Sequence, residues 1–353
     1  MHVLVTGHQG YLGTVMVPLL IERGHTVVGL DTGWFADCVL GPAPAEPDVL
    51  RLDLRDVTVD HLGGFDAVVH LAALSNDPLG TLAPDITHDI NHHASVRLAR
   101  AAKDAGVERF LYASTCSVYG AAGADAVTED APLRPLTPYA VSKVRVEDDV
   151  AALADEGFTP VFLRNATAFG FSPRLRADIV VNDLTASAVL TGRVVVKSDG
   201  TPWRPLVHAR DIAAAFAAAL EAPAARVRGR ALNIGTEANN VTVAQIAETV
   251  AEVTGAEVVI TGEYGADPRS YRVDFSAARR ILPEFVAHWG IRDGAVELAE
   301  SYRRHGLTAD ALSNRFTRLA RITELQRVGE LDATLHRTAA ATLHRTAMAA
   351  RHG

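Results

Sequence analysis

Val3-Leu4-Val5-Thr6-Gly7-His8-Gln9-Gly10-Tyr11-Leu12-Gly13 opens the chain. An apolar, β-branched run gives way to a turn with glycines at 7, 10 and 13, and Tyr11–Arg23 continues with the apolar spacing of a helix. Strand, glycine turn and helix in this order make a cradle for a dinucleotide. The glycines permit a tight turn and let the backbone approach a pyrophosphate, and the positive end of the helix dipole favours its charge. Asp31 ends the next apolar run, where a carboxylate accepts from adenosine ribose hydroxyls and repels a 2′-phosphate, favouring NAD over NADP. The cofactor set read from this end is Gly7, Gln9, Gly10, Tyr11, Leu12, Gly13, Asp31 and its neighbour Thr32, with Asp53 and Leu54 placed to meet adenine.

Working outward, short apolar runs at His2–Val5, Thr26–Leu30, Val49–Leu52, Ala67–Leu71, Arg109–Ala113 and Pro160–Leu163 read as buried parallel strands. Helices fit between them at Tyr11–Arg23, Ile86–Ala105 and from Tyr139 to about Asp155, with Pro138 near the N-terminus of the last. This alternation predicts an α/β fold: a Rossmann-like, doubly wound parallel sheet with helices on both faces. Thr32–Pro47, with three prolines, reads as a surface loop.

Beyond about residue 170 the pattern loosens into a helix at Val180–Leu190, a strand at Val194–Val196 and helices at Ile212–Leu220 and Val241–Thr254. The expected organisation is a cofactor domain over 1–170, a smaller α/β substrate lobe over 171–306 whose chain can cross back to the first sheet, and a helical tail over 307–353. In the tail, Ala333-Thr334-Leu335-His336-Arg337-Thr338-Ala339 nearly repeats as Ala341-Thr342-Leu343-His344-Arg345-Thr346-Ala347. So short a repeat reads as a local duplication, and the last residues are expected to be frayed.

The second chemical signal lies far downstream. Tyr139-Ala140-Val141-Ser142-Lys143 follows Ser114-Thr115-Cys116-Ser117, and on a helix Tyr139 and Lys143 share one face. A tyrosine, with an ordinary pKa of about 10, is a poor base at neutral pH; a neighbouring ammonium and a cationic nicotinamide ring both favour its phenolate. Thr115, just past a strand, is placed to hydrogen-bond the same substrate oxygen. The only lysines are Lys103, Lys143 and Lys197, so a chain that otherwise writes arginine keeps a compact ammonium at this position.

Glycine turn, Thr115, Tyr139 and Lys143 together resemble the extended short-chain dehydrogenases/reductases, the nucleotide-sugar epimerase and dehydratase family, over roughly residues 1–300. The resemblance implies Thr115, Tyr139 and Lys143 as catalytic triad. It implies NAD contacts from Leu71, Ala72, Ala73, Asn91, Ser114, Tyr139 and Lys143, and a homodimer joined through the helices near 86–105 and 139–155. It implies a nucleoside-diphosphate sugar as substrate, with Arg204 in Asp199-Gly200-Thr201-Pro202-Trp203-Arg204 clamping the diphosphate and Asn182 holding a phosphate. Asp267 and Arg269 stand where the family contacts the nucleotide, without its usual Arg-Pro-Gly lead-in. Thr167 stands where an Asn is common, and Ser75 and Asn76 face the sugar.

The family's 4,6-dehydratases carry Asp-Glu directly after the catalytic Thr, to protonate the leaving hydroxyl and take the C5 proton. Here those positions are Cys116 and Ser117, which argues against elimination. Cys116 is offset by one position from the cysteine of the family's 3,5-epimerases and reads as a small buried residue. What remains is a 4-epimerase, in which Tyr139 takes the 4-hydroxyl proton while C4 is transiently oxidised and then reduced from its other face. A 4-ketoreductase or C4-dehydrogenase uses the same parts with cofactor exchange, and a non-catalytic dinucleotide sensor would keep the fold alone.

Composition bounds the partners. The chain has 353 residues, 48% of them apolar, and a net charge of −8, which argues against nucleic acid or an anionic membrane as partner. No apolar stretch approaches the roughly 20 residues of a membrane span, no basic region precedes the first apolar run, and two cysteines, Cys38 and Cys116, fit a reducing cytoplasm. His92 and His93, adjacent on a helix, cannot face one ion together, so no metal site is expected, and one is expected exposed and the other packed.

Overall fold

A computed structural model describes residues 1–75, 83–121, 125–263 and 270–338. Its centre is a seven-stranded sheet. The strands in chain order are β1 (His2–Thr6), β2 (Thr26–Leu30), β3 (Asp48–Leu50), β4 (Ala67–His70), β5 (Arg109–Thr115), β6 (Ala126–Val127), β7 (Thr159–Asn165), β8 (Thr167–Phe169), β9 (Arg193–Val196), β10 (Trp203–His208), β11 (Arg230–Ile234), β12 (Asn240–Thr242), β13 (Glu257–Ile260) and β14 (Arg272–Val273). The large sheet runs β11-β7-β5-β4-β1-β2-β3, parallel throughout, with Val3 level with Val27 on one side and Ala67 on the other.

Strand alternation divides the core into two layers. Val3, Val5, Val69, Leu111, Val161 and Leu163 face the helices Gly13–Glu22 and Ala209–Glu221, with Met16, Val17, Ile212 and Phe216 among the packing residues. Leu4, Val68, Phe110, Tyr112 and Phe162 face the other side, against Ala94, Leu98, Val146 and Val150. Each fully buried large apolar side chain contributes about 1.5–3 kcal/mol, so both layers hold the sheet. Strand order reverses between β1 and β4. At such a switch point the loops after neighbouring strands diverge and leave a crevice at their carboxyl ends.

The smaller lobe packs the helices Val180–Thr191, Val243–Thr254 and Ile291–Arg304 around Val194, Val196, Leu206 and Phe169. Helix Ala209–Glu221 and β11 return to the first sheet, so the lobes are interleaved in sequence.

Several elements differ from the expected ones for identifiable reasons. The third strand is Asp48–Leu50 rather than Val49–Leu52, because β3 is an edge that pairs only with β2. β7 runs from Thr159 to Asn165, longer than its apolar run, since Asn165 is level with both Thr115 and Ile234. The helix expected over Ile86–Ala105 contains a π-helical turn at Asp89–His93. Of its two histidines, His93 is exposed, while His92 is half-buried with Nε2 2.6 Å from the Asp149 carboxylate. The tail is only partly helical: a π turn at Ala311–Arg315 and a helix at Arg318–Arg327 lead into an irregular segment with a β-bridge from Leu331 to Arg337. The second copy of the tail repeat lies wholly outside the described residues. No helix among them is long and apolar enough to cross a membrane.

Candidate active site

A cavity of about 800 Å³ opens at the carboxyl ends of β1, β2, β4, β5 and β7 and runs under the smaller lobe. At one end the glycine turn forms its floor. Gly7 has φ +73°, and its N–H donates to the Leu30 carbonyl at 2.8 Å; a Cβ there would stand 2.8 Å from the Ala72 nitrogen. A Cβ on Gly13 would lie 2.4 Å from the carbonyl oxygens of Gly7 and His8. Gly7 is therefore demanded by the closeness of the turn to the chain leaving β4, and Gly13 by the packing of the helix start against the turn's own backbone. Gly10 instead turns its bare face to the cavity.

Asp31 lines the cavity with its carboxylate oriented by the turn: Oδ2 accepts from Gln9 N–H at 3.1 Å and Oδ1 from Gly33 N–H at 2.8 Å. Tyr11, Leu12, Thr32, Asp53, Leu54, Leu71, Ala72 and Ala73 line the same end. Asp53 is held by Arg55, whose Nε and Nη2 donate to it at 2.9 and 2.8 Å.

Two expected cofactor residues act from behind the wall. The Gln9 side chain donates to Glu46 at 2.6 Å, away from the cavity. Asn91, on the π turn, clamps one backbone unit: its Oδ1 accepts from Leu74 N–H at 2.7 Å and its Nδ2 donates to Leu74 O at 3.0 Å. Both of its polar atoms are thus spent shaping the wall segment 71–75 that follows β4.

The reacting groups project from β5 and the helix Pro138–Ala151. Pro138 sits at the first turn and the Thr137 side chain caps the helix by accepting from Ala140 N–H at 3.2 Å, fixing where Tyr139 and Lys143 point. Lys143 Nζ donates to the Ala113 carbonyl at 2.7 Å and lies 5.5 Å from the centre of the Tyr139 ring. Burial drives its pKa down to about 7, against the opposing pull of Glu147. Thr115 ends β5, where Oγ1 accepts from Ser117 N–H at 3.1 Å and lies 3.0 Å from Ser117 Oγ.

Behind these groups runs a buried network. Ser114 Oγ donates to Glu147, Arg164 meets Glu147 at 2.6 Å, and Arg164 Nη1 donates at 3.0 Å to Tyr119 OH, which donates at 2.7 Å to Asn233. Cys116 turns into this layer, its thiol donating to the Arg164 carbonyl at 3.0 Å with its pKa pushed up by burial. It is absent from the cavity wall, whereas Ser117 lines it.

Ser75, Thr167 and Arg204 line the other end. Asn182 does not: its Oδ1 accepts from Gly170 N–H at 3.1 Å, and its Nδ2 donates to Gly170 O at 3.3 Å and Arg176 O at 3.1 Å. The buried asparagine orders the loop between β8 and the next helix. Asn76, Asp267 and Arg269 lie outside the described residues.

Several wall residues were missed by sequence reasoning. Arg176 makes a two-point contact with Asp178 at 2.9 and 3.0 Å and donates to Ser75 Oγ at 3.1 Å. Asp183, its pKa raised by burial against the pull of Lys197, faces the cavity with Lys197 and Ser198. Arg318 enters from the tail. The Arg174-Leu175-Arg176 doublet after β8 and the retained Lys197 were the available signals; Arg318 had none beyond an Arg-rich tail. Among the described residues no three His, Cys, Asp or Glu side chains group as a metal site.

Residues 3–235 match the family model described as Epimerase, NAD dependent epimerase/dehydratase family. The UDP-glucose 4-epimerase of Streptomyces lividans is 30% identical over 300 residues, covering 79% of this chain and 89% of that protein. The dTDP-glucose 4,6-dehydratase of Streptomyces griseus is 30% identical over 328 residues, covering 86% and 94%. Among solved structures, MoeE5 in complex with UDP-glucuronic acid and NAD superposes with TM-score 0.72 at 34% identity, covering 86% of this chain and 99% of that one. A match this long, on a chain whose glycine turn and Tyr139–Lys143 helix meet in one cavity, means that the protein belongs to the NAD dependent epimerase/dehydratase family.

Proposed function

We propose that this protein is an NAD-dependent nucleotide-sugar 4-epimerase. The observation that carries the reading is the orientation of the two residues after Thr115. Cys116 is turned into the core with its thiol held neutral, and Ser117 supplies the wall. The two positions that would serve an elimination as acid and base hold neither, which leaves Thr115, Tyr139 and Lys143 as the proton-handling groups.

The residues present fit a dinucleotide. Gly10 offers bare backbone to a pyrophosphate, Asp31 is fixed for ribose hydroxyls, and Ser114 and Lys143 lie at the nicotinamide end. When bound there, NAD supplies a reversible two-electron acceptor for the sugar carbon. Tyr139 takes the proton of the 4-hydroxyl and returns it, Lys143 supports the phenolate from the same helix face, and Thr115 hydrogen-bonds the reacting oxygen. Arg204 and Lys197 meet the substrate's diphosphate, a role that suits cations at the far end of the cavity. The smaller lobe excludes water from the reacting carbon.

UDP- and dTDP-sugars are the first substrates to offer, as the ligands named for the relatives. The same proposal has the protein acting in the cytoplasm as a homodimer through the helices near 86–105 and 139–155, which light scattering tests. The activity is tested by incubating the protein, without added cofactor, with UDP-, dTDP-, GDP- and CDP-hexoses and following C4 configuration by NMR. Inversion at C4 that disappears in Tyr139→Phe supports the reading. Turnover only on adding NADH or NADPH would replace it with a ketoreductase, and a 4-keto-6-deoxy product with a dehydratase.

A further inference from the structure

Arg318 is a buried cation with no carboxylate paired to it among the described residues. It is 7% exposed and lines the cavity. Its guanidinium carbon stacks 4.0 Å from the centre of the Phe35 ring, and Nη2 donates to the Arg174 carbonyl at 3.3 Å. Nη1 is buried with no hydrogen-bond partner, and among the described residues no carboxylate bonds to this side chain. A buried guanidinium left without a paired anion is costly, and here burial brings its pKa down to about 10, with Arg176 adding to the depression and the more distant Asp178 and Asp31 only partly opposing it. A site of this kind is completed by an anionic ligand.

The segment that carries Arg318 is fastened to the cofactor end of the cavity. Arg315 Nε donates to Asp37 O at 2.9 Å, and Arg321 pairs with the Asp37 carboxylate at 2.9 Å. Ile322, a turn beyond Arg318, also lines the cavity. Leu325, Leu331 and Leu335 pack with Trp34, Leu74 and Ile90. Further on, Arg55, which already grips Asp53, donates to the carbonyls of Thr334 at 2.8 Å and Leu335 at 3.2 Å. Arg337 donates to the carbonyls of Thr32 and Gly33, both at 3.0 Å. The hydrogen bonds of Arg315, Arg337 and Arg55, and the Arg321 ion pair, all tie this segment to the loop after β2 or the turn after β3, where Asp31 and Asp53 stand.

We propose that residues 315–338 form a clamp over the adenosine half of the bound dinucleotide, in which Arg318 donates to the dinucleotide's diphosphate. The substrate diphosphate is the other anion in reach of the cavity, but Arg204 and Lys197 serve that end, and Arg318 stacks on Phe35 in the loop after β2, at the cofactor end. The inference rests on the dinucleotide reading above and extends it. An enzyme that oxidises and reduces one sugar on one cofactor gains by not releasing that cofactor, and a strap tied at Asp37, Thr32, Gly33 and Arg55 slows its escape.

The test tracks radiolabelled NAD leaving the full-length protein after a chase with excess unlabelled NAD, for wild type, Arg318→Gln and Arg318→Lys. UDP affinity is measured calorimetrically on each. The clamp predicts NAD release ten- to a hundredfold faster in Arg318→Gln, the size of one charge-assisted hydrogen bond. It also predicts partial recovery in Arg318→Lys and unchanged UDP affinity. Unchanged NAD release overturns the clamp, and weakened UDP binding with unchanged NAD release assigns Arg318 to the substrate instead. A wild type that holds no NAD at all would defeat the cofactor reading itself, a different failure. Should Arg318→Gln not fold, hydrogen exchange on the wild type decides: NAD slows exchange across 318–338 if the clamp is right, and leaves it unchanged if it is wrong.

Discussion

Lys143 Nζ is fastened to the Ala113 carbonyl at 2.7 Å, one residue before Ser114 and two before Thr115 on the same strand. This hydrogen bond and that of Ser114 with Glu147 tie the helix Pro138–Ala151 to β5. The first holds an ammonium in a place where burial lowers its pKa to about 7.

That depressed pKa makes stability depend on pH. Below about pH 7 Lys143 is protonated folded and unfolded, and the folded state bears the full cost of the buried charge. Between about 7 and the unfolded value near 10.4 the unfolded chain binds the extra proton, so stability rises with pH. Wild type is therefore expected to gain on Lys143→Met between pH 7 and 9.5 in paired urea titrations. A difference between the two proteins that stays flat over this range would contradict the assignment.

Glu147 and Arg164 are both about 7% exposed and pair at 2.6 Å. Glu147→Ala strands a buried guanidinium and removes the acceptor of Ser114, so it should cost about 3–5 kcal/mol by urea unfolding. The double variant with Arg164→Met should recover most of that loss, since two apolar groups leave no charge unanswered.

Gly7→Ala places a Cβ 2.8 Å from the Ala72 nitrogen on a residue at φ +73°. Strain of roughly 1–2 kcal/mol from the left-handed backbone adds to displacement of the 71–73 wall. The variant should be less stable by at least that amount and should purify with less bound NAD, read by absorbance after denaturation.

Arg204→Ala should raise KM for the nucleotide sugar about tenfold or more while kcat stays within about twofold. A diphosphate clamp binds ground and transition states alike. A fall in kcat with KM unchanged would place Arg204 nearer the reacting carbon than proposed.

The parts of this site that sequence revealed are those whose chemistry sits in one short stretch. Gly7, Gly10 and Gly13 mark a turn because a Cβ would meet the chain after β4 at Gly7 and the turn's own backbone at Gly10 and Gly13, and Tyr139 and Lys143 are joined by a single helical turn. Asn91 and Asn182 were placed correctly in the chain, but residue type says nothing about direction, and both spend their amides on backbone next to the cavity. Arg176, Asp183, Lys197 and Arg318 escaped because the fold, rather than local spacing, gathers them from separate segments. The tail reads as a helical appendage, since nothing in an Arg-rich stretch shows that its arginines find the carbonyls of Thr32, Gly33 and Asp37.

Mass spectrometry of the reaction run in D2O without added cofactor separates 4-epimerisation from every enolising route. A 4-epimerase gives a C4 isomer of unchanged mass carrying no deuterium, because the hydrogen leaving C4 is returned from the same bound cofactor. Loss of water, or deuterium fixed on carbon, would mean enolisation chemistry at a neighbouring carbon and would contradict the proposed 4-epimerisation.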